Sequence, residues 1–416
     1  MTRALRCSAS LALFASTERP RGAAAWALGA LLLWALPVAA QVPDWSLQAR
    51  QRLIGGADSA RAGELAERAV WLARGEALLL AGDAEAAEQA FDRAALLLHA
   101  PDTESSLVRS YMQAGHYRRA LAFAAHTAGA HREMPAATAL YAWLLHAGGQ
   151  THIAAERLES ALAASPRHPT LVAARAGLAQ HWPLPGPELL QAPVRLAPYG
   201  TASLPVGLSV LATGTLIDSG QHALVPAAVL GEATEFWLRN GLGQTRRATL
   251  MTLWATLDVA LLRLDAPLPL PASLRSALRA PHAGSPAYNV QFAFGPSTEP
   301  AWPLLRQGFM GRTLGTEELP LLGIDMPDGP GGGPVFDARG ALVGMALPGR
   351  DGRARLMPLQ ALQVVVGDKF DAAPISGPSR PAAVDEVYET SLQVAVQLIG
   401  SAKQFLIRDI PQPSPV

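Results

Sequence analysis

The chain has 416 residues, of which 50% are hydrophobic and 16% are charged. This composition excludes a wholly disordered chain and allows two or three domains of ordinary size. Basic and acidic residues are balanced at 34 each, so nothing predicts the basic surface that nucleic-acid binding requires.

Residues 1–40 have the pattern of an export signal. Arginines precede the apolar run 23–40, and Val38 and Ala40 are the small residues expected before a cut at Gln41. We therefore predict a cleaved signal peptide and a periplasmic or secreted bacterial protein. The alternative is an inner-membrane anchor, the one membrane contact that the sequence suggests. The single cysteine, Cys7, lies in this segment, so the exported chain would contain no disulfide and no cysteine metal site.

Residues 60–180 are rich in alanine and leucine and predict helices. Glycines recur here at intervals of 33 and 34 residues, and small and aromatic residues keep a fixed spacing around them. The segment 41–190 thereby resembles a tetratricopeptide-repeat array. The positions that carry this resemblance are Trp71, Gly75, Gly82, Ala87, Phe91, Ala94, Gly115, Ala120, Gly149, Ala154, Ala161 and Pro166.

Such an array either binds a peptide or a partner protein on its concave surface, or serves as a spacer or cap for its neighbour. The sequence leaves both readings open. The histidines of this region are His116, His126, His131, His146 and His152. No two of them are four residues apart, so we expect scattered surface histidines, no metal site and no cofactor.

From residue 191 to 370, short apolar segments alternate with Gly, Pro, Asn and Asp turns, which is typical of all-β domains. Four segments resemble, in order, parts of the trypsin-like serine proteases of the HtrA/Deg type. These segments are "TGTLIDSG" (213–220), "LDVALLRLD" (257–265), "MPDGPGGGPVFDARGALVG" (326–344) and "LMPLQAL" (356–362). The resemblance implies a double β-barrel over roughly residues 200–366.

In that family a serine, a histidine and an aspartate form the catalytic triad. Asp258 matches the aspartate, but Ala228 in "VPAAVL" stands at the histidine position and Gly331 at the serine position. His222 and His282 have no pattern that places them near Asp258. Between Thr316 and Val343 the loop offers no other hydroxyl nucleophile. The sequence therefore predicts that no catalytic triad is intact.

Two features of this site have alternative readings. Asp258 is either a relic of the triad or a buried carboxylate that accepts backbone hydrogen bonds. Gly329, Gly331 and Gly332 are either the remnant of an oxyanion loop, which still binds a carbonyl or an anion, or an ordinary tight turn. Pro330 removes one backbone donor from this turn.

Behind the barrel, residues 371–383 are proline-rich and predict a linker. Residues 384–410 have apolar side chains at helical spacing, which predicts one amphipathic helix. Its apolar stripe either docks on the same chain or pairs with a second chain as a short coiled coil. The sequence indicates no particular oligomeric state.

The whole sequence thus predicts a multidomain protein of the α plus all-β class: a helical solenoid, a trypsin-like double β-barrel and a C-terminal amphipathic helix. The functional hypothesis is an exported pseudoprotease that binds a peptide or an envelope protein through the repeats and the barrel cleft. The alternative is a serine endopeptidase of the HtrA/Deg type in periplasmic protein quality control, with a rebuilt site.

Overall fold

The computed structural model describes residues 58–179, 190–195, 204–233, 235–277, 281–313, 319–327, 329–349, 352–369, 373–374 and 380–401. The predicted signal peptide lies outside these residues. All of these residues belong to one compact unit. Among the helices of the described part, none is both long and apolar enough to cross a membrane.

The first part of the described chain is helical, as predicted. Three helix pairs are followed by a further helix, and their bounds are α1 Asp58–Leu80, α2 Ala84–Leu97, α3 Pro101–Ala114, α4 Tyr117–Ala130, α5 Pro135–Ala147, α6 Thr151–Ala164 and α7 Pro169–Ala179. The recurring glycines Gly82, Gly115 and Gly149 follow the first helix of each pair with φ near +80°. A left-handed residue after a helix favours glycine, which explains the period in the sequence.

Small residues let the helices of a pair approach closely. A Cβ atom on Gly75 would lie 2.3 Å from the ring of Phe91, so the ring occupies the space that a side chain would need. Phe91, Ala87 and Ala94 are fully buried. The predicted spacing of small and aromatic residues therefore corresponds to real helix–helix packing in the first pair.

The β part begins with a closed barrel. Five of its strands follow one another in the chain: β1 Leu208–Ile217, β2 His222–Pro226, β3 Glu235–Asn240, β4 Thr245–Trp254 and β5 Val259–Leu264. The sixth comes from the C-terminal tail and is inserted between β1 and β3. Its side chains Val396 and Leu398 lie in the interior of this barrel.

The tail therefore differs from the prediction. A C-terminal helix is present, but it spans Val384–Val394 only, and Ala395–Ser401 form a strand. The prediction of one helix over 384–410 is thus wrong for residues 395–401, and residues 402–410 lie outside the described part. The reason is tertiary: without the tail, β1 and β3 would each have an unpaired edge here, and the tail pairs antiparallel with both of them.

The second sheet contains the remaining strands, which are β6 Arg275–Ser276, β7 Pro286–Gln291, β8 Leu304–Met310, β9 Leu322–Ile324, β10 Pro334–Asp337, β11 Leu342–Pro348, β12 Ala354–Pro358 and β13 Ala373–Pro374. Its order is β13-β6-β11-β10-β7-β8-β9, with β12 on β11. A bridge between Leu321 and Arg355 joins the β9 and β12 ends, so the sheet curls into a second barrel. β13 lies in the predicted linker 371–383.

Two further helices complete the chain: α8 Leu359–Val366 and α9 Val384–Val394, which precedes the tail strand β14 Ala395–Ser401. A core of apolar side chains from β1, β2, β5, β11, β12 and α8 lies between the barrels. The C-terminal helix α9 packs within its own chain, against α4 and against strands of both barrels.

Helix α9 joins the helical region to both barrels. Tyr388 is fully buried, donates a hydrogen bond to the carbonyl of Pro303 at 2.8 Å, and meets the ring of Tyr117 edge-on at 4.4 Å. Burial raises the pKa of Tyr388 far above its ordinary range, so it stays a neutral donor. Glu389 accepts a hydrogen bond from the backbone N–H of Arg118 at 2.8 Å, at the positive end of α4.

The turns of the helix pairs also contact the second half of the chain. Gln307 donates from its side-chain amide to the carbonyl of Gly149 at 2.7 Å. Gln113 of α3 binds the connecting segment 190–195 through two hydrogen bonds. Its side-chain amide donates to the carbonyl of Ala192 and accepts from the backbone N–H of Val194, both at 2.9 Å. The helical region is therefore held against the barrels by specific polar contacts.

Candidate functional site

The positions predicted to correspond to the triad lie on three loops at the junction of the two barrels. Ala228 is in the single helical turn Ala227–Val229 that follows β2, and Asp258 immediately precedes β5. The backbone N–H of Ala228 donates to Oδ1 of Asp258 at 2.9 Å. A second bond, from Ala227 N–H to the carbonyl of Asp258 at 3.0 Å, ties the same two segments together.

Gly331 lies in the loop before β10, and this loop reaches the same place. A Cβ atom on its neighbour Gly332 would be 3.1 Å from the ring of Pro226, two residues before Ala228. Gly332 also forms a parallel bridge with Thr213 of β1. The structure thus brings Ala228, Asp258 and the glycine loop to one location.

Asp258 has a half-buried carboxylate that accepts a backbone hydrogen bond. Its φ of +53° is unusual for a residue with a side chain, although aspartate and asparagine tolerate this region best. Burial raises the pKa of Asp258, and the hydrogen bond from Ala228 opposes this rise. This geometry agrees with the reading of Asp258 as a residue that holds the turn after β2.

The glycine loop is anchored through its backbone. Gly331, Gly332 and Gly333 all have positive φ, between +62° and +99°. The side-chain amide of Gln291 donates to the carbonyl of Gly332 at 3.1 Å, and that of Asn289 donates to the carbonyls of Gly332, Gly333 and Pro334 at 3.1–3.4 Å. Gly333 N–H donates to Thr213 O at 2.9 Å. The loop is a tightly bonded turn, and Gly329 at its start packs against the ring of Phe294.

Asn289 and Gln291 are functional-site residues that the sequence analysis missed. Both are buried polar residues of β7 that face the loop. The signal for them is the alternation in "AYNVQF", where polar side chains occupy every second position of a predicted strand. A buried amide in that pattern must find a partner, and the loop carbonyls supply it.

Neither candidate histidine reaches Asp258. His222 is buried at the opposite end of β2 and lies 2.6 Å from Asp218 through Nδ1. His282 is exposed in the turn before β7, where its carbonyl accepts from Ser285. The site therefore presents one carboxylate, one methyl group and backbone amides.

Residues 212–345 match the family model described as the trypsin-like peptidase domain. This part of the chain is thus similar to a trypsin-like peptidase domain. The matched range includes the three positions that the sequence predicts to correspond to the triad, Ala228, Asp258 and Gly331. Among solved structures, the protease domain of MamO from Magnetospirillum magneticum in its apo form is 20% identical, with a TM-score of 0.31, and the match covers 40% of this chain and 94% of that one. No curated protein matches the chain.

Two substitutions of Asp258 test the role of its carboxylate. Asp258→Asn keeps an acceptor for Ala228 N–H and tolerates a positive φ, so we expect a free energy of unfolding at about pH 7 equal to or above that of the wild type. Asp258→Ala loses the acceptor and strains the backbone, which should cost about 1–3 kcal/mol.

The pH dependence has a definite sign. Because the pKa of folded Asp258 lies above its ordinary value of 3.8, the folded state binds the proton more tightly than the unfolded state. Stability that is present in acid is therefore lost as the pH rises through this range, and Asp258→Asn lacks that loss. Urea unfolding near pH 4 and near pH 7 measures both. An asparagine variant no more stable than the alanine variant would contradict this role.

The expectation of scattered surface histidines is wrong for one group. His131 and His126 of the helical region approach the same carboxylate, Glu104, and His99 joins them. The spacing of residues within one helix does not show this group, because its members come from different helices and turns.

Proposed function

We propose that the trypsin-like domain does not cleave peptide bonds, and that the protein acts as a scaffold that binds an extended peptide or an envelope protein. The observation that carries this proposal is the contact between Ala228 N–H and the Asp258 carboxylate. Oδ1 of Asp258 accepts from the backbone at this position, and the side chain there is the methyl group of an alanine, so the carboxylate has no imidazole to orient.

The bond chemistry of a serine protease needs a hydroxyl oxygen and a base that removes its proton. Gly331 supplies no hydroxyl, and Ala228 supplies no base. Backbone donors alone stabilise a developing oxyanion but form no acyl-enzyme. Here the donors of the loop are also reduced by one, because Pro330 has no backbone N–H.

The helical region supports a role in assembly. Its helix pairs resemble tetratricopeptide repeats, and such arrays bind peptides or brace a neighbouring domain. The contacts from Gln113, Gln307 and Glu389 hold it against the barrels, so a partner bound to either part would be held by the whole unit. The export signal predicted at residues 1–40 favours a partner in the bacterial envelope.

The competing function is a serine endopeptidase with a rebuilt site. A fluorophosphonate probe labels an activated serine, and we expect no labelling of the purified chain. Fluorescein-labelled unfolded casein should nevertheless bind saturably, as measured by anisotropy, and should be recovered intact. Labelling of one serine, lost in Asp258→Ala, would favour the endopeptidase. Absence of saturable binding would contradict the scaffold.

A further inference from the structure

A cluster of potential metal ligands lies in the helical region, away from the trypsin-like domain. Nε2 of His99 is 3.0 Å from Oε1 of Glu104, and Nε2 of His131 is 3.3 Å from Oε2 of Glu104. One ligand atom from each of His99, Glu104 and His131 lies within 4.8 Å of the ligand atoms of the other two. The three come from the turn after α2, the first turn of α3, and the end of α4.

The central carboxylate is almost completely buried. The side chain of Glu104 is 1% exposed, and neither of its oxygens accepts a hydrogen bond within the described part of the chain. A buried carboxylate without hydrogen bonds is costly, and protein interiors normally pair such a group or use it to coordinate a metal. This observation is independent of the spacing of the histidines.

The separations match a shared ion better than a hydrogen-bonded network. Zinc binds histidine nitrogen and carboxylate oxygen at about 2.0–2.2 Å in a tetrahedral arrangement, so neighbouring ligand atoms lie about 3.3 Å apart. The observed 3.0 and 3.3 Å agree with that spacing. Nε2 of His131 is buried and makes no hydrogen bond in the described residues.

The outer contacts also suit coordination. Nδ1 of His131 lies 3.4 Å from Oε1 of Glu133, and a proton held there leaves the lone pair on Nε2 for a metal. Nε2 of His126, whose side chain is 60% exposed, lies 3.8 Å from Oε1 of Glu104. Two imidazoles and one carboxylate are a ligand set that zinc prefers over magnesium or calcium.

We propose that His99, Glu104 and His131 bind one divalent transition-metal ion of the zinc type. The ion joins the turns at the ends of the first two helix pairs and neutralises the buried Glu104 carboxylate. It thereby stabilises the helical region, and it does so independently of the trypsin-like domain and its proposed function.

The test uses the full, tag-free chain stripped with a chelator, with Zn²⁺ alone as the probe. Calorimetric titration should give one ion per chain, and the thermal midpoint should rise with Zn²⁺. Glu104→Gln and His131→Ala should each weaken binding by about 100-fold or more, since even outer contacts of metal ligands contribute 10–100-fold. His152→Ala is the matched control, because His152 and Glu156 form an exposed pair 3.5 Å apart that belongs to no such cluster.

A folding defect is separated from a binding defect by Glu104→Gln. This variant keeps the side-chain shape and removes the buried charge, so without metal it should be at least as stable as the stripped wild type. Zn²⁺ should then stabilise the wild type and His152→Ala but not Glu104→Gln. Binding that is substoichiometric in the wild type, or that survives in Glu104→Gln, would overturn the proposal.

Discussion

A chain that ends at Ala383 should fail to form the first barrel. It would lack β14, which lies between β1 and β3 and places Val396 and Leu398 in the barrel interior. It would also lack α9 with the buried Tyr388 and Leu392. Burial of about seven such side chains contributes roughly 10–20 kcal/mol, comparable with the whole stability of a domain. We expect an insoluble or largely unfolded product by near-UV circular dichroism.

The matched control is a chain that ends at Ser401, which keeps every contact described for α9 and β14. It should fold like the full chain. A synthetic peptide of residues 384–401, added during refolding of the shorter chain, should restore the near-UV signal, because an exposed strand edge accepts an added strand. A stable, folded product from the chain that ends at Ala383, without the peptide, would show that the tail is not part of the barrel.

Gly332→Ala should be the most damaging single substitution in the glycine loop. A Cβ atom at this position would lie 2.0 Å from the carbonyl oxygen of Thr213, and φ is +99°. The contact is with backbone, so no side chain can move aside, and the loop must leave β1. We expect a loss of about 3 kcal/mol or more in the free energy of unfolding, measured by urea denaturation.

Gly331→Ala is the comparison that isolates the clash. Its φ of +62° is also left-handed, but its nearest neighbours, two atoms of Pro348, would be 3.3–3.4 Å from the new Cβ. The expected cost is the left-handed strain alone, about 1–2 kcal/mol. Equal losses for Gly331→Ala and Gly332→Ala would contradict the described packing of the loop. The small cost at Gly331 also means that a serine can be introduced there.

The order of the strands and the convergence of the triad positions were predictable from local patterns. The turn 218–221, the segment around Asp258 and the glycine loop each have a strong local signal, since turn chemistry depends on a few adjacent residues. The helix pairs were predictable for the same reason, because Gly82, Gly115 and Gly149 mark their turns.

The strand β14 was not predictable from its own residues. Apolar side chains in 395–401 fit a helical stripe as well as a strand, and the partners that decide between the two lie about 160–190 residues earlier. The indication of a further strand lies in the first barrel instead. Strands β1 to β5 alone leave β1 and β3 each with an unpaired edge. The ligand cluster around Glu104 was missed for a similar reason, because it assembles from separate turns.

The most direct test of the absence of catalysis is a time course of unfolded casein incubated with the purified chain, followed by mass spectrometry. Asp258→Ala is measured in parallel to identify any contaminating protease. The double variant Ala228→His with Gly331→Ser tests whether a histidine and a serine at these two positions restore cleavage. We expect intact casein with both the wild type and Asp258→Ala. Cleavage by the wild type that disappears in Asp258→Ala would show a working site around this carboxylate and would contradict the proposed function.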